Sequence, residues 1–427
     1  MATRIGKKKS AAGFGLVGAG ASVFFAAAAL AANSAAPARA DFEDLLDPII
    51  QPLLTSLTDS VAAFDPSAAA DVASWSDSVL SAINSIDVAQ PGVESASAAA
   101  ASVATAATTG TVDSPTTGVY DIPLGLQNGN ELSAYASIDG GSPTNLLVDT
   151  NYSGLVVPFT NFDGNSYNFF TELEHIYDLG VPVGLGESSY GGVDYLYLTY
   201  DGVSVDYTAL TSGEVNDLIT NTPVEMEVYS WDPSNLGTLS SNDAFQNLLT
   251  GDQVSGIRGI GDGVKDSAGE SPLAGAGFTG VTVDDTPFAL GGGLIVDDNN
   301  PFTAIATLPS VGSTPTSDLY ETVSNILGQN PVGTTVSDTI DSGGGYGTIP
   351  ASLAGDLQPG DLITVYTSQG GTELYQYLVG DSEVPATASG NAIDSGVVPF
   401  FTEPIYLNYA NDSVTFDEPQ PGDLPPF

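Results

Sequence analysis

The chain has 427 residues, of which 52 are acidic and 7 basic, and it carries a formal net charge of −45. It holds no cysteine and one histidine, which excludes disulfide staples, thiol nucleophiles and a zinc site of His and Cys ligands. All 52 acids lie after residue 40, where only Arg258 and Lys265 are basic, so that part carries about −50 (2 minus 52) and is expected to bind neither nucleic acid nor an anionic membrane surface.

In chain order, Arg4 and Lys7 to Lys9 form a basic start, residues 13–32 are apolar and small, and Ala38-Arg39-Ala40 fits a small-x-small cleavage site. Residues 1–40 therefore read as a secretory signal, with an uncleaved membrane anchor as the alternative, and the protein is expected to be secreted or at the cell surface. Residues 41–118 read as a partly helical N-terminal region and linker. Asp41 to Phe64 has helical apolar spacing broken by Pro48 and Pro52, Ala68 to Ile86 forms a second amphipathic stretch with Trp75, and Ser95 to Thr109 is an Ala/Ser/Thr tract. A spacer is the reading preferred over a pro-segment or a surface-attachment element.

From Val119 the pattern changes to short alternating runs separated by Gly, Pro and Asp, which predicts a mainly β domain over 119–427. Strands are predicted at Val119 to Leu126, Glu131 to Ile138 and Asn145 to Asp149. A further strand is expected over Tyr195 to Val205 with a turn at Asp201-Gly202, followed by apolar, Gly-punctuated strand ends at Gly256 to Gly261 and Phe288 to Gly292. A closing β-meander runs through Gly396 to Phe401, Ile405 to Tyr409 and Ser413 to Phe416.

Two stretches within this domain match. Leu146-Leu147-Val148-Asp149-Thr150 leads to Pro158, and Thr339-Ile340-Asp341-Ser342-Gly343 leads to Pro350. In each, an aliphatic residue precedes Asp, a hydroxyl residue follows it, and Pro comes nine positions after the Asp; the two Asp residues are 192 apart (341 minus 149). Two related lobes, about 119–285 and 286–427, would each present one carboxylate to a shared cleft. Two such acids cannot both ionise cheaply, so they share a proton; one can then take a proton from water while the other gives one to a carbonyl oxygen, with no metal or cofactor. The Thr150 and Ser342 hydroxyls are candidates for tying the two loops together, and Gly343 lets backbone approach the carboxylate.

These residues resemble the pepsin-like, bilobal aspartic proteases. Asp149-Thr150-Asn151 and Asp341-Ser342-Gly343 are similar to the family's two Asp-Thr/Ser-Gly signatures, and Tyr190-Gly191 to its flap. Gly256 to Gly261 and Gly396 to Phe416 resemble its later strands. The likeness covers roughly residues 119–417. The Ser-Gly-Gly second motif, the Ala-rich leader and the absence of Cys look most like the secreted proteases attached to mycobacterial PE-type surface proteins. The resemblance implies that Asp149 and Asp341 are the catalytic pair, supported by Thr150, Ser342 and Gly343. Tyr190 and Gly191 would lie on a flap over a peptide or surface-protein substrate, and the enzyme would act without cofactor as a monomer. Asn151 stands where the family has Gly, so the alternative is a silenced module of the same fold that binds peptide without cleaving it. Residues 41–118 hold no Lys or Arg and cannot block the cleft through a salt bridge.

Other constellations carry less. His175 has no Gly-x-Ser-x-Gly partner. The acidic runs at Asp262 to Asp266, Asp284-Asp285 and Asp297-Asp298 lack calcium-loop spacing and read as solvated turns. Gly259 to Gly263 lacks the Lys of a phosphate loop, and Tyr195, Tyr197 and Tyr200 read as strand faces rather than a carbohydrate platform.

Overall fold

The computed structural model describes residues 119–159, 179, 182–207, 218–231, 244–261, 271–286, 292–325, 327–355, 357–381 and 384–419. The expected signal and linker, His175, Asp262 to Asp266 and most of Phe288 to Gly292 lie outside the described residues.

The described chain is mainly β and opens on β1 (Tyr120–Pro123). An eight-stranded sheet follows, built from β2 (Gly125–Gln127), β3 (Glu131–Ile138), β4 (Thr144–Asp149), β5 (Leu155–Pro158), β6 (Gly184–Tyr190), β7 (Val193–Asp206), β8 (Ile219–Trp231) and β9 (Gly256–Gly259). Its order is β2-β3-β4-β9-β5-β8-β7-β6. Helix α1 (Ala244–Gly251) comes between β8 and β9 in the chain and packs against β7 and β8, and a turn of helix, α2 (Pro272–Gly275), follows. Next come β10 (Gly280–Asp284), β11 (Gly293–Val296), β12 (Ala304–Val311) and β13 (Thr314–Pro315). A five-stranded sheet uses β14 (Leu319–Ser324) and β15 (Val332–Thr339). After them, β16 (Thr348–Pro350) leads through α3 (Ala351–Ala354) to β17 (Leu362–Tyr366), β18 (Glu373–Leu378), β19 (Ala386–Ala388) and β20 (Ala392–Asp394). The order is β18-β17-β14-β15-β20, with β16 and β19 paired separately. After α4 (Val398–Thr402), β21 (Ile405–Asn408) and β22 (Ser413–Asp417) form a hairpin. They join β1 and β10 to β13 in a seven-stranded sheet that gathers the start, middle and end of the described chain.

The strand before Asp149 is placed by burial on both faces. Leu146 and Val148 enter the large core, while Leu147 enters a smaller one with Tyr152, Val156, Tyr195, Tyr197, Phe245 and Ile257. A strand covered on both sides reads as a continuous apolar run rather than an alternation. Parallel pairing then repeats: β4 runs parallel to β9 and β5 to β8, and β15 runs parallel to β20 and β16 to β19.

Four sequence expectations need correction. Asp284-Asp285 is no solvated turn: Asp284 ends β10, both acids are buried, and the Thr286 N–H and hydroxyl donate to Asp284 Oδ1. Val119 to Leu126 is not one strand, because β1 pairs with β11 while β2 pairs with β3, and the chain changes sheet between them. Asp201-Gly202 is no turn: β7 runs through it, and the irregularity is a register shift between Tyr200 and Val203 with Gly202 at φ +69°. The run Val398–Thr402 is helical because Pro399, with φ fixed, sits in the first turn of the helix, where its missing N–H costs nothing.

Candidate active site

Asp149 ends β4 and Asp341 follows β15 by two residues, and both side chains are nearly inaccessible, at 2% and 3% exposure. Their carboxyls lie within hydrogen-bonding reach of each other. The two loops that carry them are joined by a reciprocal set of four bonds. The Thr150 N–H donates to Ser342 Oγ (3.1 Å) and the Ser342 N–H to Thr150 Oγ1 (2.9 Å). Each hydroxyl also donates across the junction, Thr150 Oγ1 to the Ile340 carbonyl and Ser342 Oγ to the Val148 carbonyl, both at 2.6 Å. Both hydroxyls are fully buried, so each bond made here prevents a polar group from being stranded.

The loops then treat their own acids alike. The Asn151 N–H donates to Asp149 Oδ1 (2.7 Å) and the Gly343 N–H to Asp341 Oδ1 (2.9 Å). The second oxygens differ. Asp149 Oδ2 accepts from the Tyr190 hydroxyl (2.8 Å), whereas Asp341 Oδ2 accepts from the Asn151 side-chain amide (3.3 Å). Asn151 lies outside the left-handed region, so Gly is not required there by backbone geometry. Gly343 is required by space: a Cβ would sit 2.6 Å from Asp149 Oδ2 and 2.9 Å from the Tyr190 hydroxyl.

Tyr190 ends β6, and Gly191 and Gly192 make the tight connection to β7 with φ of +56° and +84°, a conformation that glycine adopts at little cost. The hairpin tip folds over the acids. The Tyr190 ring meets Tyr152 edge-on, with centroids 5.9 Å apart, and the Tyr152 hydroxyl bonds that of Tyr195 (2.7 Å). Tyr195, Tyr197 and Tyr200 are buried in the sheet and form no surface platform.

Burial first, then the Asp341 charge, holds Asp149 well above the usual carboxylate range; the Tyr190 hydroxyl pulls the other way. Asp341 is raised by burial and then by the charge of Asp394. Such a set retains a proton into pH ranges where an exposed Asp is ionised. It can give a proton to a carbonyl oxygen and receive one from water.

Two acids at this site escaped the sequence reading. Asp394, at the end of β20, lies within hydrogen-bonding reach of Asp341, and burial pushes its carboxyl up to about 7. The sequence carries a signal for it: Ile340-Asp341-Ser342-Gly343 recurs as Ile393-Asp394-Ser395-Gly396. Glu131, at the start of β3, is pushed up to about 9 by burial, then by Asp252, Asp341 and Asp149. Nothing local in the sequence distinguishes it from any strand-edge Glu.

A mainly β frame that holds two buried acids on tied, matched loops is aspartyl peptidase-like. The family profile described as the PE-PGRS C-terminal aspartyl peptidase-like domain matches residues 120–416, and the chain belongs to that family. It is 30% identical over 312 residues to PE cleavage protein A of Mycobacterium tuberculosis, in both the CDC 1551 / Oshkosh and H37Rv strains, with 70% of this chain and 52% of that protein covered. To PE cleavage protein A of Mycobacterium marinum it is 30% identical over 316 residues, with the same shares covered. The chain therefore spans about half the length of the curated relatives it matches.

Proposed function

We propose that the domain is a bilobal, pepsin-like aspartic endopeptidase in which Asp149 and Asp341 share one proton and activate water. The ionised acid takes a proton from a water molecule while the water oxygen bonds to the peptide carbonyl carbon. The protonated acid gives its proton to the carbonyl oxygen. When the tetrahedral diol collapses, the C–N bond breaks, one acid protonates the leaving nitrogen, and the other takes the diol proton, so the pair returns to one proton. Thr150, Ser342 and Gly343 hold the acids in register for this exchange. Tyr190 is the flap residue that a substrate displaces from Asp149.

The observation that carries the reading is the contact between two buried carboxyls from loops 192 residues apart (341 minus 149), tied by bonds given and received on both sides. The relatives' name speaks of PE cleavage, and this supports PE-type surface proteins as the substrate class of this chain as well. The N-terminal 40 residues support secretion, and we take the working unit to be a monomer.

The test is hydrolysis of a mixed peptide library at acidic and neutral pH, with Asp149→Ala, Asp341→Ala and a statine-type inhibitor as controls. Cleavage that is lost in both variants and blocked by the inhibitor is expected; cleavage that survives both substitutions rules the mechanism out.

A second reading has its own observation. In this structure both outer carboxylate oxygens are already bonded, one to Tyr190 and one to Asn151. A module that binds peptide without cleaving it fits that arrangement, and library peptides bound but uncut by the natural chain would favour it.

A further inference from the structure

The two halves of the frame can be aligned through their parallel pairings. On β4, Leu147 lies opposite Ile257 and Asp149 opposite Gly259. On β15, Thr339 lies opposite Asp394. Counting from each acid, the position two before Asp149 faces Ile257, and the position two before Asp341 faces Asp394. An aliphatic core residue of one half is thus replaced in the other by an acid beside the reacting pair.

Asp394 is built into its place. Its Oδ1 accepts the Gly396 N–H (2.8 Å), and its own N–H donates to Thr348 Oγ1 (2.9 Å). A Cβ on Gly344 would sit 2.5 Å from Asp394 Oδ1 and 2.8 Å from Oδ2, so the loop after Asp341 is bare at the point where Asp394 fills it. Ser395 completes the contact: its hydroxyl accepts the Asp341 N–H (3.3 Å) and donates to the Thr339 carbonyl (3.1 Å).

We propose that Asp394 is a positioning residue for the reaction, a third carboxyl that holds the Asp341 carboxyl in place and shares its proton. This rests on the peptidase reading above. Hydrolysis would then draw on three coupled acids, where a pair whose matched position held Ile would draw on two. The ionisable groups facing Asp394 are Asp341, Asp338 on β15 and Asp149 across the junction; all are acids. Asp341 faces Asp394 and Asp149, and its charge is also felt by Asp338, Glu131 and Tyr190. Among acids alone, removing one negative charge makes it easier for the remainder to ionise.

Asp394→Asn keeps an oxygen to accept the Gly396 N–H and removes the charge. We expect its basic limb of kcat/KM to move down by about one pH unit, the effect of one close like charge, while kcat at the acidic optimum falls by less than about tenfold. Asp394→Ile, which copies the matched residue, should move the limb at least as far. A residue that merely supports the fold would lower the melting temperature and leave the limb unmoved.

The closing measurement needs no turnover: pH titration of the carboxyl 13C signals of aspartate-labelled full chain, with Asp341 assigned by Asp341→Asn. A lower Asp341 midpoint in Asp394→Asn is expected, and an unchanged midpoint in folded protein overturns the proposal. The reciprocal reading, the Asp394 midpoint in Asp341→Asn, needs no change at 394 and must also move. Shifted midpoints in a chain that cleaves no peptide would uphold the shared proton and sink the peptidase reading alone.

Discussion

The loop after Asp149 and the loop after Asp341 have one backbone plan and two sets of side chains. Both present an N–H to their own acid two residues back, and both lend a hydroxyl to the other loop. Around that shared frame, Asn151 answers to Gly343 and Tyr152 to Gly344, and by strand register Ile257 answers to Asp394 and the fully buried Arg258 to Ser395. The first loop is bulky and aromatic and packs on the Tyr190 hairpin; the second is bare glycine backed by a third acid. The frame brings the two carboxyls together, and the side chains make them unequal.

The comparison breaks most severely at the acids themselves. Asp149→Asn and Asp341→Asn should each lower kcat/KM for a cleavable library peptide by about 10²- to 10⁴-fold, the range for loss of a positioned general acid or base, with the circular dichroism spectrum unchanged. A deficit in only one of the two would show that the halves do not act as a pair.

The second contrast lies beneath the acids. On the Asp341 side, burial pushes Glu321 up to about 8 and raises Asp338, whose Oδ2 accepts from the Tyr375 hydroxyl (3.5 Å). An acid with a raised folded-state pKa stabilises the fold relative to the unfolded chain only while it is protonated. For Glu321, stability is full below its unfolded value of 4.5 and is lost as pH rises towards about 8. Each such group contributes a slope of about 1.4 kcal/mol per pH unit within its window. The melting temperature should therefore fall steadily between these limits, and Glu321→Gln should flatten the fall. A protein equally stable at both ends would contradict the protonated state of this cluster.

The junction tests the symmetric part. Thr150→Val removes the acceptor of the Ser342 N–H and the donor to the Ile340 carbonyl; Ser342→Ala removes the mirror pair. Each leaves buried backbone groups unsatisfied, at about 1–3 kcal/mol apiece. Similar losses in urea unfolding for the two single variants would sharpen the symmetry, and strongly unequal losses would break it.

Much of this frame was legible in the sequence because its determinants are local. The aliphatic-Asp-hydroxyl motif, the Pro nine residues on, and the strands Glu131 to Ile138 and Ile405 onward follow from patterns a few residues long. What escaped depends on distant pairing. Ile393-Asp394-Ser395-Gly396 acquires meaning only once β20 lies beside β15, 55 residues earlier in the chain (394 minus 339). The run at Asp201-Gly202 resembles a turn, yet the partner strand β8 carries β7 through it as a bulge. Glu131 gains its high proton affinity first from burial and then from three acids supplied by other elements.

The smallest expected effect is at Asn151, and it divides the two functional readings. Its backbone does not need glycine, and its amide makes one long bond, 3.3 Å, to Asp341 Oδ2. Asn151→Gly should cost about 0.5–1 kcal/mol of stability through added chain freedom and change peptide hydrolysis by less than about tenfold, the worth of one modest hydrogen bond. The mirror change Gly343→Asn should abolish hydrolysis, because its Cβ would lie within 2.6 Å of Asp149 Oδ2. If instead the natural chain is inert and Asn151→Gly switches hydrolysis on, then the amide on Asp341 is a lock, and the module that binds without cleaving is the correct reading.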